Sequence, residues 1–196
     1  MVLRLVVALV SISPVWASTI LVSPPSSNVS VGQVFTLAIN MNSVTDLYAY
    51  QFDLKFDASV LNAVSETEGD FLSLGGPTFF ISGTIDNVGG FISGSSDSLE
   101  SAVLGVSGSG TLVSVSFKAI GAGNSSVQIL NDILLDSNLS GIDTSVANGT
   151  VSVSAVATPE PSSGALVLVV AASALVFRRR LKVLSNSARE VRRGNG

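Results

Sequence analysis

The stretch Tyr48–Phe56 constrains the fold more than any other part of the chain. Tyr48, Tyr50, Phe52, Leu54 and Phe56 occupy every second position, with Ala49, Gln51, Asp53 and Lys55 between them. Side chains on a strand alternate between faces, so this spacing puts five large groups on one side of a sheet and leaves the other side small or polar. Burying each large group contributes about 1.5–3 kcal/mol, which makes this a central strand with its apolar face turned to a core. Asp57 ends it. Asp57–Leu61 then reads as a turn capped by the Asp57 carboxylate, with Val60 and Leu61 closing the end of the core.

No window between Ser18 and Ala157 shows sustained helical periodicity. Short alternating runs recur instead between Gly, Ser, Asn and Pro clusters, the pattern of a β-sandwich or barrel. Thr19–Val22 is stopped by Pro24-Pro25. In Val34–Met41, Phe35, Leu37, Ile39 and Met41 share one face and Thr36, Ala38 and Asn40 the other. Phe79–Asp86 and Phe91–Ser96 read as a hairpin around Asn87–Gly90. Glu66–Asp70 reads as an acidic loop and Gly105–Gly110 as a flexible one. Thr111–Ala119, Ser126–Leu135 and Thr150–Val156 bring the total to about nine strands.

Charge is unevenly spread. Between Ser18 and Ala157 the cations are Lys55 and Lys118, against twelve carboxylates, a net of about −10 where the whole chain carries −4. A surface this acidic excludes binding to a nucleic-acid backbone, which requires Lys and Arg to displace counterions. The chain has no histidine and no cysteine. Histidine-based triads, zinc sites and disulfides are therefore excluded. About 140 residues bury a sufficient core without such staples.

The remaining basic residues sit in the end segments. Met1–Ala17 reads as a secretory signal peptide, with Arg4, the apolar Leu5–Ile12, and a cleavage site after Val15-Trp16-Ala17. Thr158–Lys182 carries Pro159-Glu160-Pro161, an uncharged run from Ser162 to Phe177, and then Arg178, Arg179, Arg180 and Lys182. The 16 residues of that run reach roughly 24 Å as a helix, against about 30 Å of hydrocarbon. The arginines fit the cytoplasmic side of a membrane. This order resembles the PEP-CTERM sorting tail, which implies handling by an exosortase-type membrane protease at a bacterial envelope. The expected organisation is signal peptide (1–17), sandwich (18–157), sorting signal or transmembrane helix (158–182) and a basic, disordered tail (183–196). The expected location follows: export across the inner membrane of a bacterium, then anchoring in the membrane or release to the cell surface.

The sandwich itself resembles the cohesin domain. The residues that carry the resemblance are Val31-Gly32-Gln33, Tyr50–Leu61, Glu68-Gly69-Asp70-Phe71-Leu72, Gly108–Leu112 and Phe117-Lys118-Ala119. It covers roughly Thr19–Val153 and implies an all-β, nine-stranded jelly-roll sandwich that binds dockerin modules with one sheet face. On that face this chain carries Ala49 and Gln51, where the best-known dockerin binders show Asn and Asp.

The residues bear on three function classes. A glycosidase needs two opposed carboxylates about 5–9.5 Å apart, and Glu66, Glu68 and Asp70 lie together in one stretch with no partner visible. The chain reads as a non-enzyme. Calcium could draw on Asp132, Asp136 and Asn138, or on the Glu66–Asp70 loop, but neither has the spacing of a calcium loop and Asp136–Asn138 reads as an Asx turn. No metal and no cofactor are expected. What remains is a binding module at the cell surface, for a protein partner through Ala49, Gln51 and Asp53, or for an extracellular polysaccharide through Phe79, Phe80 and Phe91 as stacking rings.

Overall fold

A computed structural model describes residues 18–156. The expected signal peptide with its cleavage site at Ala17, and the expected sorting signal with Pro159, Glu160, Pro161, Arg178, Arg179 and Arg180, lie outside the described residues. Among the described residues no helix is long and apolar enough to cross a membrane.

The Tyr48–Phe56 alternation becomes β4 (Ala49–Lys55). Tyr50, Phe52, Leu54 and Phe56 are buried, whereas Tyr48 packs against the core only in part. β4 lies inside a six-stranded sheet, in the order β2 (Ser26–Ser30), β11 (Gly149–Ser154), β9 (Gly123–Leu135), β4, β7 (Phe91–Ser98), β6 (Thr84–Asp86). A five-stranded sheet covers it, in the order β10 (Thr144–Ala147), β1 (Ser18–Ser23), β3 (Val34–Leu47), β8 (Val106–Ala119), β5 (Leu61–Glu68). β1 runs parallel to β10 and β2 parallel to β11; the other pairs are antiparallel. The inner faces meet in one core that includes Ile20, Leu37, Ile39, Met41, Phe52, Leu54, Phe71, Leu112, Val113, Val115, Phe117 and Val151. Phe117 stacks on Phe35 and meets Phe56 edge-on, so aromatic contacts bridge the two layers.

The result is an all-β sandwich, with eleven strands among the described residues where the sequence suggests about nine. Two edge strands account for part of the difference, because Pro24-Pro25 and Asn148 each divide one run between the two sheets. The Glu66–Asp70 loop is also corrected, since Glu66, Thr67 and Glu68 belong to β5. Its polar composition is that of an edge strand, which carries charge to deter pairing with other chains. Gly105–Gly110 is corrected too: from Val106 onward it is strand, paired with β3. Glycine is required there by close approach, because a Cβ on Gly110 would lie 2.6 Å from the Phe71 ring. The 79–86 arm of the hairpin is strand only over β6; further back a single bridge joins Ile81 to Ser96 on β7, and another joins Thr78 to Leu99 just beyond it.

The Asp57 turn is formed. Val60 N and Leu61 N donate to Asp57 O at 3.0 and 2.9 Å. Asp57 Oδ1 accepts from Ser59 N and Ser59 Oγ at 2.8 and 2.6 Å. Asp136 makes the Asx turn expected of it, its Oδ1 accepting from Asn138 N and Ser140 N, both at 2.8 Å.

Candidate binding face

The outer face of the six-stranded sheet is set by register. Ala49 lies opposite Ser98 on β7 and Leu135 on β9; Gln51 lies opposite Ser96 and Ile133. The segment 77–83 runs beside β7. Phe79 N donates to Ser98 O and Ile81 N to Ser96 O, both at 2.8 Å, and Ser96 N returns a bond to Ile81 O at 3.1 Å. These elements enclose a shallow hollow of about 220 Å³ lined by Ala49, Gln51, Phe79, Ile81, Ile133 and Leu135, with serines between. Phe79, Ile81 and Ile133 remain 60 %, 49 % and 52 % exposed. Three large apolar side chains thus converge on one open sheet face.

Of the residues singled out in the sequence, the structure brings Ala49, Gln51 and Phe79 together here. Asp53 faces the same way, but both its oxygens are engaged. Oδ1 accepts from Gly94 N and Oδ2 from Asn131 Nδ2, each at 2.7 Å. Gly94 and Asn131 have φ of +77° and +51°, and the ladders on both sides of Asp53 shift register at this level. Asp53 thus staples two β-bulges.

Phe80 is half-buried and packs against the core. Phe91 sits at the far end of β7 under Lys55, whose Nζ is 5.5 Å from the ring centroid. Phe91 and the Phe79 partner Ser98 are the two ends of β7, on the order of 23 Å apart at strand rise. The three phenylalanines do not form a stacking strip.

Ile81, Ile133 and Leu135 were not singled out in the sequence. The bulge at Asn131 explains the miss at Ile133: Ile129 and Leu134 point inward while Ile133 points out, a parity that strict alternation does not give. The one signal for it is Asn131-Asp132 interrupting an apolar run, since Asn tolerates a left-handed backbone.

Under the hollow's β7 edge lies a group of acids. Asp97 points inward and is 3 % exposed, one oxygen accepting from Ser98 N at 2.8 Å. Burial first, then the nearby Glu68, pushes its carboxyl up to about 7. Glu68 also accepts from Thr78 Oγ1, and Glu66 from Ser95 Oγ, Ser82 Oγ and Gly83 N. Tyr50 is raised far above its ordinary value by burial and by these carboxylates, while its hydroxyl donates across the sandwich to Leu112 O at 2.9 Å. Among the described residues no three acidic side chains converge as a metal cage would require.

Fold and face together define a β-sandwich binding module. Compared with known families, residues 20–153 match the cohesin domain, and the chain belongs to that family of non-catalytic protein-binding modules. Solved structures agree on the fold. A non-cellulosomal cohesin from Archaeoglobus fulgidus is 14 % identical with a TM-score of 0.56, covering 76 % of this chain and 97 % of its own. The seventh ScaB type I cohesin from Pseudobacteroides cellulosolvens is 20 % identical with a TM-score of 0.57, covering 74 % and 96 %. A chain of a type I cohesin–dockerin complex from Clostridium thermocellum is 12 % identical with a TM-score of 0.59, covering 72 % and 96 %. Comparison with curated proteins gave no match.

Proposed function

We propose that this protein is an exported adaptor, tethered at a bacterial envelope, that captures a dockerin-like protein through the β9–β4–β7 face. The observation that carries the reading is the apolar hollow formed by Phe79, Ile81 and Ile133 around Gln51. Its apolar side chains supply a central anchor site and the flanking serines a polar rim, the usual division within a protein interface. A complex of a cohesin with a dockerin is among the related solved structures, which favours a dockerin-like partner. The end segments supply the address: a signal peptide ending at Ala17 for export, and the Pro159–Pro161 and Arg178–Arg180 signals for membrane retention or exosortase processing. The strand β11 leaves the sandwich at the Gly123 end of β9, whereas the hollow begins near Leu135 at the other end.

The test is calorimetric titration of the full chain with a panel of dockerin modules, repeated with Ile133→Asp and Phe79→Ala. Binding that weakens at least about tenfold in both variants, with folding intact, supports the reading. No binding by any module, or binding unaffected by both changes, overturns it.

A further inference from the structure

We propose that Asp97 and Glu68 share one proton across the edge between the two sheets, and that this proton governs the rim of the hollow by holding the segment 77–83 in place. The proposal rests on the binding-face reading only for its consequence; the proton site stands on its own geometry.

Asp97 is buried on β7, and its Oδ2 has no hydrogen-bond donor. The group it faces is the Glu68 carboxyl on β5, an acceptor itself when ionised. Two carboxylates bond to one another only when one proton lies between them, and burial of Asp97 penalises the state in which both are charged. The other groups facing the pair do not neutralise it. Glu66 on β5 is a further acid, Tyr50 on β4 is a neutral phenol already donating to Leu112 O, and Thr78 offers a hydroxyl to Glu68. Neither described lysine is near: Lys55 lies over Phe91 and Lys118 pairs with Val34 and Asn62. Among the described residues no three acidic side chains converge to hold a metal ion, so a proton is the occupant the chemistry fits.

The same acids hold the rim. Glu68 binds Thr78, and Glu66 binds Ser82 and Gly83, so β5 grips both ends of the segment that carries Phe79 and Ile81. Loss of the shared proton sets two negative charges against each other. Asp97 is fixed inside β7 and Glu68 is exposed, so Glu68 is the group that swings out and releases Thr78. The rim loosens as pH rises, and partner affinity falls with it.

Two measurements on the full chain test this without any partner. The first is a carbon-13 titration of side-chain carboxyls, from about pH 4 to about pH 9. The second is amide exchange at Phe79 and Ile81, compared between the wild type and Asp97→Asn so that the ordinary base-catalysed increase cancels. The expected result is an Asp97 midpoint near neutrality, with those two amides exchanging about tenfold faster than in the variant above it. Glu68→Gln, at an exposed position, should move the Asp97 midpoint down and keep the amides protected. An Asp97 midpoint below about pH 5, the same exchange in wild type and Asp97→Asn, or a midpoint unmoved by Glu68→Gln overturns the proposal. Failure of the dockerin titration alone would remove the binding reading and leave the proton site standing.

Discussion

Asp53 Oδ2 accepts a 2.7 Å hydrogen bond from Asn131 Nδ2 at the level where β9 bulges beside β4. That bond holds Asn131 in a left-handed backbone, and the bulge turns Ile133 outward onto the open face of the sheet while Leu134 stays in the core. The other oxygen fixes the matching bulge at Gly94. The side chain that shapes the face is thus not free to contact a partner.

Asp53→Ala removes both staples together and leaves Gly94 N and Asn131 Nδ2 without their acceptor. Hydrogen bonds to a charged group are worth about 1.5–3 kcal/mol each, and partial solvation of the site discounts this, so the expected loss is about 1–3 kcal/mol in urea unfolding. Any loss of partner binding should follow from the relaxed bulge. A change at Gln51, which is exposed and makes no such bond, should alter binding and leave stability within about 0.5 kcal/mol.

The bulges also mark how far the sequence can be read. The inward set of β4, the capped Asp57 turn and the two-layer architecture follow from alternation and from one aspartate before a turn. The Ala49–Gln51 side of the face follows for the same reason. Ile133 does not, because a single extra residue at Asn131 inverts parity from that point on. Glu66 and Glu68 were hidden differently: their partners Ser95 and Asp97 lie on the other sheet, and Ser82 and Gly83 in the segment beside it, many residues away in the chain. Pairing across a sandwich edge leaves no local pattern in sequence.

Asn87 makes a second cross-sheet tie. Its Nδ2 donates to Ala63 O at 3.0 Å and its Oδ1 accepts from Ala63 N at 2.8 Å, so one side-chain amide completes the backbone pairing of edge strand β5. The β6–β7 turn is thereby fastened to the opposite sheet. Asn87→Ala would strip both backbone groups of their partner, at a cost of about 1–3 kcal/mol measured by urea unfolding. Asn87→Asp keeps the acceptor and loses the donor, and should fall between the two.

Tyr50→Phe offers a milder probe of the same junction. The ring, stacked on Phe52, is retained, and only the 2.9 Å bond to Leu112 O is lost. Leu112 O still accepts from Gly69 N at 2.7 Å, so no buried carbonyl is orphaned. The expected cost is about 0.5–1.5 kcal/mol, read as a lower urea midpoint with an unchanged slope.

Stability against pH should have an unusual shape, because the buried and exposed acids pull in opposite directions. Asp97 keeps its proton to about pH 7 in the folded chain, whereas its ordinary value is 3.8. Between those values the folded state binds more protons than the unfolded state, so Asp97 makes stability fall as pH rises from 3.8 to about 7; below and above that window its contribution is constant. Asp46, Asp57 and Asp86 act the other way. Bonds from Ser137, Ser59 and the Gly89 backbone respectively lead in holding them below their ordinary range, so their contribution is present above pH 3.8 and is lost as pH falls. Thermal unfolding across this range should therefore peak at mildly acid pH and decline toward neutrality. Asp97→Asn should abolish the decline, since a neutral amide in that position has no proton to lose and can donate to Glu68. It should also be more stable than the wild type above about pH 7, where the buried charge is otherwise uncompensated. A wild-type curve flat from pH 4 to 7 would mean that Asp97 ionises at its ordinary value despite its burial.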